Sequence, residues 1–486
     1  MPETIVTPLT LGLDLGTSAV KAVAVDANGD VLALATSSFP TVSKTPDQAE
    51  QDPADWLAAA ATALRGIDAA LGQRMPAWRH HVAAIGLAGQ LPTLVCGAGD
   101  QPLGLAVTWK DARADTWASQ AIGANERRRL YERTGMPIDG RYLGPMFAYH
   151  WSPRAHEVEY VLSAKDFLAY ALTGQRVTDP STAVGYAAFE LDPGAFSGEL
   201  CERWGMPLRT LPVVRSAHAA AGALTVAGAR LLGLGSGIPV TVGAADSVAG
   251  ASAMAGLEPG TVCITMGSST IILDAIQERR LDAASRYLLT PHVEPGWYAR
   301  EMDLLATGTG YAWLSALFGM ADGELDARAG NSPPGARGLT FTPFLAGGEQ
   351  GALWDPTLRA SIRGLGLGHS ADDIGRAFLE GVNFEIRRCL DVLAETTLIK
   401  RVVVSGHIVD DAGRVQMLAD VLGRPVLPCR VVSAAAVGAA YGARTLAGLA
   451  KITGSSRFQV PTKNVEPGAD AAAYQRLYAD YLGATP

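Results

Sequence analysis

Gly12-Leu13-Asp14-Leu15-Gly16-Thr17-Ser18, with Lys21 just beyond, joins a carboxylate to a turn of glycine and hydroxyl residues. Backbone N–H and Ser/Thr hydroxyl groups in such a turn can wrap phosphate oxygens. The Asp14 carboxylate repels phosphate directly, but it can hold a hydrated Mg²⁺ that bridges to it. Read alone, the stretch is equally an ordinary hairpin with an aspartate at its mouth. Thr265-Met266-Gly267-Ser268-Ser269-Thr270 repeats the design about 250 residues later. By itself it is a Ser-rich turn; paired with the first, it makes the second jaw of a polyphosphate clamp. Between them Asp246 is the only acid of Gly243-Ala244-Ala245-Asp246-Ser247-Val248-Ala249-Gly250. Small neighbours leave room for a ligand and remove competing partners, so this carboxylate can act as a general base. It is equally placed to open a helix.

These motifs need strands and helices to hold them. Leu9–Leu15 and Ala19–Val25 read as strands, and Asn28-Gly29 is a hairpin turn leading to a third, Val31–Ala35. Asp52-Pro53 opens a helix to about Leu71, with aspartate as N-cap and proline at the first helical position. Val82–Leu87 and Pro239–Gly243 are apolar runs of buried-strand type, and Tyr160–Leu172 reads as a helix ended by Gly174. Thr261–Met266 and Thr270–Leu273 form a second hairpin around Gly267-Ser268-Ser269. Ser370-x-x-Asp373 is a capping box opening a long helix to about Leu393, followed by a strand at Arg401–Val404 and helices at Gly413–Leu422 and Ala434–Leu446. Two similar hairpin units imply an internally duplicated, two-lobed α/β protein with its ligand site in the cleft.

The chain has 486 residues, enough for two or three domains. Charged residues are 18% and the net charge is −8, with no basic block, which argues against a nucleic-acid partner. Cys96, Cys201, Cys263, Cys389 and Cys429 are scattered and form no C-x-x-C pair, so neither a disulfide framework nor a zinc site is indicated. Reduced thiols point to the cytoplasm. Glu3 and Asp14 precede the first basic residue, Lys21, unlike a secretory signal, and Leu231 to Ala245 is too short and glycine-broken to span a bilayer. His80-His81 has no acidic or cysteine neighbour and reads as a solvated pair.

The three motifs, in this order and spacing, resemble the FGGY carbohydrate kinases of the actin-like ATPase superfamily. The likeness extends over nearly the whole chain. Further matching stretches are Leu87-Ala88-Gly89-Gln90, Thr108 to Arg113, Ala164 to Leu168, Thr178-Asp179-Pro180-Ser181 and Met417-Leu418-Ala419-Asp420. Within the family the pattern is most similar to the xylulokinases. The resemblance implies an α/β fold of two actin-like (ribonuclease H-like) lobes with a ligand cleft between them. The first lobe is expected over 1–250 with sugar binding and the catalytic base, and the second over 251–455 with nucleotide binding. The C-terminal helix, about 456–486, is expected to pack back on the first lobe.

It also implies ATP and Mg²⁺. Asp246 resembles the base that takes the sugar hydroxyl proton, and Asp14, with Asp246, the carboxylates near the metal. Gly16, Thr17, Ser18 and Lys21 resemble one phosphate loop, and Gly267, Ser268 and Ser269 the other. Gly308, Gly310 and Trp313 resemble a nucleotide-contacting helix start, while Gly406 and His407 stand where the family has its adenosine motif. Gln90, Leu91, Pro92, Trp109, Asp111 and Ser247 would line the sugar pocket. Departures cluster there: Leu91-Pro92 replaces a Met-His pair, Lys110 and Ser247 each replace an asparagine, and the adenosine glycines are reduced to one, beside His407. The implied reaction is phosphorylation of an open-chain sugar, D-xylulose to D-xylulose 5-phosphate. Ribulose, gluconate or a sugar alcohol are alternative substrates, and a nucleotide-dependent switch without sugar chemistry is the alternative class. The implied partner is a small-molecule sugar, without nucleic acid or membrane; a homodimer stays open.

Overall fold

The computed structural model of the chain describes residues 8–321, 323–346, 350–355, 357–450 and 463–484. Glu3, the end of the expected second lobe from 451, and residues 456–462 and 485–486 of the expected C-terminal segment lie outside the described residues. The first sheet is built on β1 (Leu9–Leu15), β2 (Ala19–Val25), β3 (Val31–Ser38), β4 (Val82–Gly89) and β5 (Pro239–Thr241). Across it the order runs Ala220–Ala223, β5, β4, β1, β2, β3. β1, β2 and β3 pair antiparallel, whereas β4 is parallel to β1 and β5 parallel to β4.

The second sheet repeats that plan. β6 (Thr261–Met266), β7 (Thr270–Ile276) and β8 (Tyr298–Leu304) pair antiparallel; β9 (Arg401–Gly406) and β10 (Val426–Pro428) then continue parallel from β6. Leu288–Pro291 borders β8. Each lobe is therefore a three-strand antiparallel run joined to a parallel one, and each carries its Gly-hydroxyl turn between its first two strands.

β1 is buried along its whole length, as a central strand covered on both faces must be. One face of the sheet is covered by α1 (Pro53–Leu71), which packs on β2 and β3; its N-cap Asp52 accepts from the Ala54 N–H at 2.9 Å and it buries Trp56, Leu64, Ile67 and Leu71. Later helices are α2 (Asp246–Ala255), α3 (Gly308–Leu317), α4 (Ala371–Ala394), α5 (Ala412–Leu422), α6 (Ala434–Leu446) and α7 (Ala471–Ala484), of which α6 covers the other face. Although α6 lies in the stretch expected to belong to the second lobe, it packs on the first sheet. A Cβ at Gly12 or Gly86 would sit 1.8 Å from the carbonyl oxygen of Ala436 or Ala439, and one at Gly438 2.0 Å from that of Ala249. These glycines let strand, α6 and α2 touch backbone to backbone. α2 also packs on β6 and β7, so α2 links the two lobes.

Two further expectations are corrected. Tyr160–Leu162 is a strand pairing with Thr93–Ala98, and the helix starts only at Ala164. The C-terminal helix α7 packs on the second lobe rather than the first. Its Tyr474, Tyr478 and Tyr481 hydroxyls donate to Glu380, Asp391 and Glu385, all on α4, at 2.7–2.8 Å. The capping box at Ser370 forms as read, the Ser370 N–H donating to Asp373 Oδ2 at 2.8 Å. All five cysteines are buried, and none forms a disulfide. No helix among the described residues is long and apolar enough to cross a membrane.

Candidate active site between the lobes

Asp246 is the first residue of α2, directly after Ala244–Ala245, which pair with Ala88 and Gly89 at the end of β4. Gly243 makes that approach, since its φ is +83° and a Cβ there would meet the Leu87 carbonyl at 2.2 Å. The segment is pinned from below by a buried charge cluster. Lys165 Nζ donates to the Val242 carbonyl at 2.9 Å and pairs with Asp166 and Asp179 at 2.7 and 3.3 Å. Asp179 accepts from the Ser181 hydroxyl, whose oxygen accepts from the Ala245 N–H at 3.0 Å. The stretches around Lys165 and Asp179 thus position the loop that delivers Asp246.

Asp246 is partly open to the cleft, and its Oδ1 accepts from the Ser247 N–H at 2.8 Å. Burial, helped by the charge of Asp14 and also of Asp303, pushes its carboxyl from 3.8 up to about 7. The Ser247 N–H and Lys21 oppose that rise. Asp14, at the end of β1, is 2% exposed. Its Oδ2 lies 3.6 Å from Lys21 Nζ, and its Oδ1 is buried without a partner. Burial raises the Asp14 carboxyl, while Lys21 pulls it back.

The two turns are alike in build. The Gly16 N–H donates to the Ala19 carbonyl at 3.1 Å, and the Gly267 N–H to that of Ser269 at 2.8 Å. A Cβ would meet nothing closer than 3.4 Å at Gly16 and 3.8 Å at Gly267, so packing does not demand either glycine. Ser18 is exposed, and Thr17 Oγ1 accepts from Trp109 Nε1 at 3.3 Å. α3 begins against the second turn: the Thr309 N–H donates to the Ser268 carbonyl at 3.0 Å, and a Cβ on Gly308 would meet the Gly267 carbonyl at 2.1 Å. Gly310 faces Leu345 and Phe378, while Trp313 is half exposed further along the helix. Gly406, with φ +94°, stands beside Met266 at the end of β6, and the exposed His407 lies 3.4 Å from Arg414. His407 and Arg414 line a narrow crevice with Met266, Thr307 and Asn383.

A cavity of about 130 Å³ opens between the lobes. Thr17, Gln90, Leu91, Pro92, Trp109, Asp246 and Ser247 line it from the first lobe and Ser269 from the second, so most of the expected sugar-pocket residues meet there. Gln90 is buried; its Nε2 donates to Gln51 at 3.0 Å and its Oε1 has no partner. Asp111 is the exception. It does not line the cavity, because its carboxylate is taken up by Arg113 and by the Ala49 N–H at 2.9 Å. Sequence reasoning also missed Arg141, Glu301 and Asp303, which do line it. Glu301 and Asp303 sit two apart on β8 and so share one face, a signal that the alternation of Tyr298–Leu304 carried. Burial and mutual repulsion raise Glu301, and burial pushes Asp303 up to about 7.

Two family models cover most of the chain: the N-terminal domain of the FGGY family of carbohydrate kinases over residues 9–253, and its C-terminal domain over 262–446. The chain is 28% identical over 444 residues to the xylulose kinase of Bacillus subtilis, covering 88% of this chain and 86% of that protein. It is 29% identical over 450 residues to the glycerol kinase of Gloeobacter violaceus, covering 89% and 87%. The solved structure of xylulose kinase from Rhodospirillum rubrum superimposes with a TM-score of 0.86 at 28% identity over 98% of each chain. With two duplicated lobes closing on one acid-bearing cleft, the chain belongs to the FGGY family of carbohydrate kinases and is a xylulokinase-like member of it.

Proposed function

We propose that the chain transfers the γ-phosphoryl group of ATP to a hydroxyl of an open-chain sugar, with D-xylulose as substrate and D-xylulose 5-phosphate as product. The observation that carries this reading is the Asp246 carboxyl, raised to about 7, in a cavity that both phosphate-type turns reach through Thr17 and Ser269. A base poised near neutrality is what proton removal from an alcohol requires. The residues also fit a divalent cation. Asp14 Oδ1 is a buried oxygen without a partner close to a second carboxylate, and a hydrated Mg²⁺ needs only one or two carboxylates beside phosphate oxygens. Asp14 and Asp246 would hold it, and when bound it would neutralise charge on the transferred phosphoryl group.

The chain's own groups do the rest. Gln90, Leu91, Pro92, Trp109 and Ser247 orient the sugar so that one hydroxyl faces Asp246, which accepts its proton as the oxygen attacks phosphorus. N–H and hydroxyl groups of Thr17 and Ser18, and of Ser268 and Ser269, hold the phosphates, Gly16 and Gly267 leave room for their close approach, and Lys21 is a nearby cation. The first N–H group of α3, at Gly308, adds a donor at a helix N-terminus, while Gly310, whose own N–H donates to the Ala306 carbonyl at 3.2 Å, seats that helix start against Leu345 and Phe378. Trp313, Gly406 and His407 hold the nucleoside end. Because the cavity walls come from both lobes, their closure excludes water from the transfer.

The test is sugar-dependent ADP release by purified protein with Mg·ATP, across D-xylulose, D-ribulose, xylitol, glycerol and D-gluconate. The expected result is release stimulated most by D-xylulose. ADP release that no sugar stimulates would overturn the reading and favour a nucleotide switch.

A further inference from the structure

We propose that Glu301 and Asp303 of the second lobe form, with Gln90 of the first, a subsite that holds the hydroxyls of the substrate remote from the phosphorylated one and rejects sugar acids. The inference rests on the kinase reading and specifies its substrate class as neutral ketoses and polyols.

Three observations place the subsite. Glu301 is 7% exposed, yet lines the cavity beside the Ser247 hydroxyl. Asp303 lines it as well, and its Oδ1 is buried without a hydrogen-bond partner. Gln90, 1% exposed, lines the same cavity from the first lobe, and its buried Oε1 has no partner. Buried acceptors without donors are costly unless a ligand supplies the donors. Sugar hydroxyls are such donors, and Gln90 lines the cavity from the first lobe while Glu301 and Asp303 line it from the second. A substrate bridging them also draws the lobes together.

Charge decides what is refused. Asp246, Glu301 and Asp303 are three carboxyls around one small cavity. The cation on its described wall, Arg141, is paired with Asp139, with Nε and Nη2 at 3.1 and 2.5 Å from one carboxylate oxygen, and its charge also acts on Asp303. Gln350, also lining the cavity, donates to that same oxygen at 3.2 Å. A sugar carboxylate entering here would add a fourth acid to these three, with Arg141, shared between Asp139 and Asp303, the one cation among the described lining residues. Leu91, Pro92, Ile271 and Leu288 leave the remaining wall apolar.

The experiment compares the wild type with Asp303→Asn and Glu301→Gln at pH 8, variants that keep shape and remove the ionisable carboxyl. Turnover is followed with D-xylulose, D-ribulose, xylitol and D-gluconate, and binding of the same four compounds by calorimetry without ATP. The wild type is expected to bind a neutral compound at least tenfold more tightly than gluconate. Each variant should raise KM for that compound roughly tenfold, with a smaller change in kcat and no change in KM for ATP, and should narrow the gap to gluconate. Gluconate as the best ligand of the wild type, or unchanged KM and binding in both variants, overturns the subsite. If no sugar is turned over but neutral compounds still bind in this pattern, the phosphoryl-transfer reading falls and the subsite stands.

Discussion

Replacing Asp246 with asparagine should damage activity and strengthen the fold at once. In the wild type the carboxyl titrates near 7 instead of 3.8, because burial and the Asp14 charge disfavour its ionised form. A group with a raised folded-state value holds its proton more tightly folded than unfolded. Its contribution to stability is intact below about 4, declines as pH rises, and is fully lost above about 7. At about 1.36 kcal/mol per pH unit, that interval bounds the cost at about 4 kcal/mol. The side chain is partly open to the cleft, so solvent relieves much of this and about 1–2 kcal/mol is expected to remain. Asparagine resembles the neutral acid and escapes the cost. The ligand-free variant should therefore melt a few degrees higher than wild type at pH 8, with the difference vanishing near pH 4–5. Sugar-dependent ADP release should meanwhile fall by about 10²–10⁴, the usual loss when a general base is removed. Paired melting curves at the two pH values and a coupled ADP assay read both arms. Activity within a few-fold of wild type would refute the base assignment. Equal melting at pH 8 would refute the electrostatic account of Asp246.

The wild-type kcat/KM for its best sugar should rise with pH through about 7 to a plateau, since only the ionised carboxylate accepts a proton; a flat profile from pH 5.5 to 8.5 contradicts this. Gly16→Val and Gly267→Val should fold normally, since a Cβ has space at both positions, yet weaken ATP binding by crowding the phosphates, as measured by calorimetry. Unchanged affinity in both would remove the clamp. Pro92→His supplies a donor at the cavity wall and should lower KM for D-xylulose by up to about tenfold; loss of turnover with an intact fold would show that the pocket is shaped around the proline.

What the sequence made legible was mostly local. The turns at Asn28-Gly29 and Gly267-Ser268-Ser269, the Asp52 N-cap and the Ser370 capping box each depend on residues a few positions apart, and all form as read. Tyr160–Leu162 was misread because its strand partner, Thr93–Ala98, lies far away in the chain and decides its conformation. The C-terminal helix shows which face is apolar but not which surface receives it. That choice rests on three tyrosines meeting three acids of α4. Asp111 looked available because nothing in the sequence reveals that Arg113 folds back on it. Glu301 and Asp303 share one face of β8, and only the opposing lobe turns that face into a cavity wall.

The division of labour proposed for Asp14 and Asp246 follows from their surroundings rather than from their chemistry, which is identical. Both are pushed up by burial, and each repels the other. Two carboxyls in such a position cannot keep equal roles; whichever has a counter-charge stays ionised and the other takes up the proton first. Lys21 favours the ionised form of Asp14, since it sits 3.6 Å away and is the principal opposing influence there, but acts on Asp246 only after the Ser247 N–H. Asp14 is thereby suited to hold a cation, and Asp246 to exchange a proton near neutrality. Asp303 adds a third acid beside Asp246 and none beside Asp14, which widens the same asymmetry. On the proposed reading, a sugar filling the subsite between Gln90 and Asp303 displaces the remaining water and places its reacting hydroxyl beside the acid of the pair that accepts protons.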